Sequence, residues 1–150
     1  MKHLVFFAIA LAASTLFADE GVWQTDFNKA IQQAANENKP VLIDFTGSAW
    51  CPACKMMKRE VLSKAEFLDF ANKNLILFEV DMLPTGEAAV PKLDNQNQYL
   101  TRKFGIEGFP TFVLINSKGR ELGRSEEASI SRFVNGGPKA FIAWVEKSIK

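Results

Sequence analysis

The run Val41-Leu42-Ile43-Asp44-Phe45-Thr46-Gly47-Ser48-Ala49-Trp50-Cys51-Pro52-Ala53-Cys54 constrains this chain more than any other. Val41 to Phe45 is a nearly continuous apolar run, the pattern of a strand covered on both faces. Thr46 to Trp50 is a loop, and a helix is predicted from near Cys51 to about Leu62. The only two cysteines therefore stand two residues apart where a strand hands over to a helix. A pair so close closes too small a loop to staple a fold, because disulfide stabilisation grows with loop length. The placement suits dithiol–disulfide chemistry instead.

The rest of the composition narrows the field. A length of 150 residues fits one domain with an ample core, and 47% hydrophobic with 23% charged residues is globular. A formal charge of +1, without a concentrated basic face, argues against nucleic acid as a partner. Met1-Lys2-His3 is followed by the ten-residue apolar run Leu4 to Ala13 and by Ser14-Thr15-Leu16-Phe17-Ala18. That run falls short of the ~20 residues a bilayer span needs. Residues 1–18 read as a secretory signal peptide cut near Ala18, with 19–150 as the folded domain. An uncleaved anchor is the competing reading, and Leu16 stands where alanine is commoner. No cysteine lies near the cut, which argues against a lipoprotein. Cleavage would remove Lys2 and leave 17 basic against 17 acidic residues; it would also remove His3, the only histidine. A mature chain without histidine excludes Cys-His nucleophiles, Ser-His-Asp triads and histidine-ligated metals. Export implies an oxidising compartment, periplasmic or extracellular.

In chain order, Thr25 is the predicted N-cap of a helix with Phe27, Ala30, Ile31 and Ala34 on one face. Asn36 to Pro40 breaks it. After the cysteine helix, Ser63 and Glu66 have capping-box spacing before another helix. Leu75 to Asp81 is a second buried strand. Met82 to Leu93 is a connection, and Asn95 to Phe104 a short helix ended by Gly105. Thr111 to Ile115 is a third strand, Asn116 to Gly119 a turn, and Arg120 to Arg124 a fourth, polar strand. Ser125 to Gly137 has no clear pattern. Pro138 starts a last helix with Phe141, Ile142, Val145 and Ile149 on one face. The order is helix, strand, helix, helix, strand, helix, strand, strand, helix, which gives a mixed sheet with helices on both faces.

Three motifs carry a resemblance. Trp50-Cys51-Pro52-Ala53-Cys54-Lys55 matches a Trp-Cys-x-x-Cys-Lys site at a strand–helix turn. Phe104-Gly105-Ile106-Glu107-Gly108-Phe109-Pro110-Thr111 matches a segment with a cis-proline, and Leu114-Ile115 with Gly119 matches a terminal hairpin. From about Trp23 to Lys150 the chain resembles the thioredoxin superfamily. Its Phe-Thr-Gly-Ser-x-Trp-Cys loop is similar to exported bacterial thioredoxin-like proteins and to the soluble C-terminal domain of the thiol:disulfide interchange transporter. The implied fold is α/β, a thioredoxin fold with a central mixed four- to five-stranded sheet. Four departures stand out. Pro-Ala separates the cysteines, the loop before Trp50 is one residue longer, Glu79 takes the place of a buried lysine, and Ser125 to Gly137 extends the chain before the last helix.

The resemblance implies roles. Cys51, at a helix N-terminus, meets the partial positive charge there and becomes the exposed nucleophile. Family thiols near pKa 7, against ~8.5 unperturbed, correspond to roughly 2 kcal/mol of thiolate stabilisation. Cys54 resolves the mixed disulfide. Pro52 suits the first helical turn, where its missing N–H costs nothing. Phe109 and the cis-proline Pro110 offer a backbone edge to an extended substrate; an ordinary turn proline is the plainer reading. Trp50 is a wall of the site or a packing residue. Asp44 is a proton acceptor for Cys54 with a raised pKa, or a solvated carboxylate at a strand end. Glu79 offers a second carboxylate with the same ambiguity. An inert disulfide and a zinc or copper site are the alternatives for the cysteines; structural zinc wants four ligands.

The expected function is an exported thiol:disulfide oxidoreductase that reduces protein disulfides. No cofactor and no metal is expected. The expected partners are protein disulfides and a membrane-bound or soluble thiol electron donor, with a monomeric mature chain free of membrane spans. The direction is read from the lack of the inserted helical domain of oxidases and of the dimerisation domain of isomerases. A non-catalytic module whose dithiol holds a partner or metal is the alternative.

Overall fold

The computed structural model describes residues 23–84, 91–125 and 127–150. The predicted signal peptide, with its cleavage site, lies outside the described residues. The elements follow the predicted order: α1 (Phe27–Glu37), β1 (Val41–Thr46), α2 (Pro52–Met57), a π-helical turn (Lys58–Leu62), α3 (Ala65–Asn74), β2 (Ile76–Asp81), α4 (Pro91–Lys103), β3 (Thr111–Ile115), β4 (Glu121–Arg124) and α5 (Glu127–Ser148). No helix among the described residues is long and apolar enough to cross a membrane.

The four strands lie in the order β2-β1-β3-β4. β1 runs parallel to β2 and antiparallel to β3, and β3 is antiparallel to β4. Gln24 adds a one-residue parallel bridge to Phe78 at the outer edge, where its N–H donates to the Leu77 carbonyl and its carbonyl accepts from the Glu79 N–H. β1 is central, and all six of its residues are buried.

Strand alternation sorts the side chains onto two faces. Val41, Ile43 and Phe45 join Ile76, Phe78 and Val80 against α1 and Leu100 of α4. Leu42, Leu77, Phe112 and Leu114 pack against Met57, Val61, Phe67 and Phe141, from α2, the π turn, α3 and α5. Both faces are capped by fully buried phenylalanines, each contributing about 1.5–3 kcal/mol of apolar burial.

Local corrections have identifiable causes. The N-cap of α1 is Asp26, not Thr25; its carboxylate accepts from the Lys29 N–H. The capping box at Ser63 does not form. The Ser63 N–H is engaged by the Lys58 carbonyl and closes the π turn, so α3 starts at Ala65 from an uncapped Lys64. α4 starts at Pro91 rather than Asn95, because a proline tolerated at a first helical position reads in sequence as a breaker.

The largest addition is the unpatterned stretch before Pro138. It is helical from Glu127, and α5 kinks at Gly137, whose φ of 64° ends the first half. Pro138 then opens the second half, as predicted. Ser125 ties this arm to β3: its N–H donates to the Phe112 carbonyl and its Oγ accepts from the Phe112 N–H. Phe133 from the first half meets Phe141 from the second edge-on, with ring centroids 5.0 Å apart.

Candidate active site

β1 ends at Thr46, and Gly47 turns the chain. The Gly47 carbonyl accepts from the N–H groups of Trp50 (3.1 Å) and Cys51 (2.8 Å). The Trp50 indole lies over this glycine so closely that a Cβ there would stand 2.5 Å from Cε2; a side chain at position 47 would displace the ring. The indole Nε1 donates to the Met82 carbonyl at 2.6 Å. Ser48 is bound to Asp81 at the end of β2, its N–H at 2.8 Å from Oδ1 and its hydroxyl on Oδ2. The Gly47-Ser48-Ala49 loop is thus anchored on the neighbouring parallel strand. Sequence reading missed this anchor. Its signal was an acid at the end of β2 in register with the end of β1.

Cys51 is the N-cap of α2, with extended backbone (φ −90°, ψ 109°). Its sulfur accepts from the Cys54 N–H at 3.2 Å, and Pro52 opens the helix as predicted. The cysteines form a disulfide with a Cα–Cα distance of 5.3 Å, ordinary for such a bridge. Each is only 4% exposed, so Cys51 is no more open than Cys54, contrary to the sequence expectation. The cover comes from the Phe109-Pro110 loop. The Phe109–Pro110 peptide bond is cis, and the Phe109 carbonyl oxygen stands 3.6 Å from Cys51 Sγ. Trp50 meets Phe109 edge-on at 5.6 Å. With 47% of its surface exposed, Trp50 is not a core residue. Lys55 is exposed and donates to the Ala49 carbonyl at 2.9 Å.

Asp44 lies on the sheet face that carries α2. It is 5% exposed, and its Oδ1 has no hydrogen-bond partner among the described residues. The solvated-carboxylate reading of Asp44 is therefore set aside. Glu79 is its register partner on β2, on the same face, and Asp81 follows two residues on. Burial pushes the Asp44 carboxyl well above the ordinary carboxylate range; the charge of Glu79 adds to this, Lys58 opposes it and Asp81 adds again. Glu79 is raised by burial too, with Lys58 opposing and Asp81 adding. A buried acid of this kind holds a proton at pH values where an exposed one has lost it.

The structure thus brings Cys51, Cys54, Trp50, Pro52, Phe109 and Pro110 together around the disulfide, with Asp44 on the sheet face that carries α2. No group of three or more Cys, His, Asp or Glu side chains able to hold a metal occurs among the described residues. An open groove of about 660 Å³ leads away from the disulfide, between the loop 105–111 and the start of α5.

Comparison with known proteins agrees with this geometry. A family model described as thioredoxin-like domain matches residues 27–127. The chain is 30% identical over 128 residues to the disulfide bond reductase DsbH of Chlamydia pneumoniae, covering 85% of this chain and 72% of that protein. A solved structure described as DsbH oxidoreductase superposes with a TM-score of 0.74 at 27% identity, over 95% of this chain and 94% of that one. The C-terminal domain of Neisseria meningitidis DsbD in its oxidised form shares the fold, with a TM-score of 0.53 at 22% identity over 81% and 91% of the two chains. The chain belongs to the thioredoxin-like family and is a thiol:disulfide oxidoreductase.

Proposed function

We propose that this chain is an exported reductase of protein disulfides that works through Cys51 and Cys54. The observation that carries the reading is Cys51 as the cap of α2, its sulfur facing the Cys54 N–H on one side and the Phe109 carbonyl on the other. Helix N-terminal N–H groups stabilise a thiolate. In the reduced protein the Cys51 thiolate attacks one sulfur of the substrate disulfide. That S–S bond breaks, and the departing substrate thiolate takes a proton. Cys54 gives its proton to Asp44 and its thiolate attacks Cys51 Sγ; the bond between Cys51 and the substrate sulfur breaks, that sulfur leaves as a thiolate and takes up a proton, and the Cys51–Cys54 disulfide forms. Two electrons have passed from the dithiol to the substrate. An external thiol donor, membrane-bound or soluble, returns them. Trp50, Phe109 and Pro110 flank the incoming chain, and Pro52 starts the helix that activates Cys51.

The reductive direction is supported by the name of the Chlamydia relative, a disulfide bond reductase, and by the lack of a histidine between the cysteines. Export is supported by the charged start and apolar run of residues 1–18. The decisive measurement is the redox potential against glutathione. A value in the thioredoxin range, about −270 mV, is expected; one near about −120 mV, as in strong oxidants, overturns the direction. A Cys54→Ala variant should accumulate a mixed disulfide on Cys51 and name the substrate. If that variant reduces insulin at the wild-type rate, the two-cysteine mechanism is wrong.

A further inference from the structure

The groove beside the disulfide has a chemical character of its own. It begins at Ala53, between the two cysteines, passes Pro110 and Thr111, and runs under the first turns of α5. Trp50, the exposed aromatic of the site, does not line it. Ile106 and Ile130 give it apolar contact, and Glu107 and Glu127 are exposed on its two sides. Among the described residues that line it, Arg124 is the only basic one. That charge is already spent: its Nε and Nη2 bind the two carboxylate oxygens of Glu121 at 3.0 and 2.8 Å, and Nη2 also binds the Phe104 carbonyl at 2.8 Å. Glu107 and Glu127 have no such partner among the described residues. The groove is therefore acidic toward an occupant, although the whole chain is nearly neutral.

We propose that this groove seats the stretch of the substrate chain next to its reactive cysteine, and that Glu107 and Glu127 select stretches carrying Lys or Arg. The proposal rests on the reading of the chain as an oxidoreductase of protein disulfides, and it names the class of protein that reading leaves open. The geometry is suited to it. A polypeptide whose cysteine reaches Cys51 past the Phe109 carbonyl must continue in one direction along Pro110 and Thr111, which is the mouth of the groove. The first half of α5 forms the far wall. Ser125, bonded twice to Phe112 of β3, fixes where that wall starts. Carboxylates in a partly enclosed cleft attract cationic segments and speed their encounter, and the effect weakens with salt.

The test uses three disulfide-containing peptides that differ only beside the cysteine: two lysines, two serines or two glutamates. The measured quantity is the rate of mixed-disulfide formation on Cys51 in the Cys54→Ala background. That step reports the groove whatever the net direction of the full reaction. The lysine peptide should react about three- to tenfold faster than the serine peptide at low salt, as expected for two part-exposed charge contacts, and the glutamate peptide slower than both. The ratio of lysine to serine rates should fall toward one in Glu107→Gln/Glu127→Gln, and also at high salt in the parent. Equal rates for the three peptides, or a lysine preference that survives the double substitution, overturn the proposal. A redox potential in the oxidant range would sink the reductase reading and leave this result standing.

Discussion

The two faces of the sheet are cut from the same two strands and end differently. Against α1 and α4, every inward position of β1 and β2 is apolar: Val41, Ile43 and Phe45 beside Ile76, Phe78 and Val80. Against α2, α3 and α5, the row begins the same way, with Leu42 beside Leu77. Two residues further on it turns to carboxylates, Asp44 beside Glu79, and then Asp81. These acids lie at the strand ends from which the Cys51 loop departs. Burying a carboxylate without partners costs several kcal/mol. The second face therefore gives up stability near the disulfide, and the first face, apolar throughout, offsets that loss.

If the first face is purely structural, its removal should be costly and chemically mute. Phe45→Ala empties a fully buried position between Phe104 and the β2 side chains. The unfolding free energy should fall by about 3–5 kcal/mol, measured by guanidinium titration of the oxidised protein. The pH dependence of thiol exchange should keep its wild-type shape in the fraction that remains folded. A change in that shape would show that the two faces are not independent.

The second face should show the opposite pattern in Asp44→Asn. Burial raises the folded Asp44 pKa, so the native state holds a proton that the unfolded chain releases. Stability from this group is therefore fully present below the ordinary carboxylate range. It declines as pH rises through that range and levels off above the raised native value. The variant, which cannot titrate, should be the more stable protein at neutral and higher pH, with the advantage closing toward pH 4. Glu79→Gln should act with the same sign, since burial raises Glu79 as well. Turnover should move the other way. The resolving step loses its proton acceptor, so insulin reduction should slow by about a hundredfold, within the usual range for a general base. The limb of the pH–rate profile that rises through the raised Asp44 value should also vanish. An Asp44→Asn variant with wild-type rates and an unchanged profile would make Asp44 a buried acid without a catalytic part.

Dense apolar runs in the sequence located the strands that carry these faces, and the element order with them, although the division between the faces came only with the structure. Val41 to Phe45 and Leu75 to Asp81 are dense enough in apolar residues to read as buried strands, and Asp44 stands out as the odd residue within the first. The Cys51–Cys54 pair and the cis bond before Pro110 were legible because each depends on a short local pattern. What stayed hidden depends on contacts between distant segments. Ser63 has the spacing of a cap, but the π turn before it takes its N–H. The first half of α5 carries Ile130 and Phe133 into the core, yet Gly136-Gly137-Pro138 reads as a loop because the kink lies in the middle of the helical stretch. Glu107 and Glu127 meet across a groove only after β3 and β4 have folded back.

Ser48 and Asp81, 33 residues apart in sequence, give the smallest and sharpest contrast within the second face. Asp81 and Asp44 are acids on the same side of the sheet, yet Asp81 is bonded by the Ser48 N–H and hydroxyl while Asp44 keeps an unpartnered oxygen. If the difference between them is partnership and not position, Ser48→Ala should make Asp81 more like Asp44. One of its two bonds goes and the backbone bond stays. The cost should be about 1 kcal/mol in unfolding free energy, the usual net worth of one hydrogen bond. The loss should largely disappear in an Asp81→Ala background, where the hydroxyl has no carboxylate to bind. Guanidinium midpoints for the two single variants and the double variant make the comparison. A Ser48→Ala penalty of equal size in both backgrounds would mean that Ser48 supports the loop by packing and that the Asp81 carboxylate plays no part in holding it.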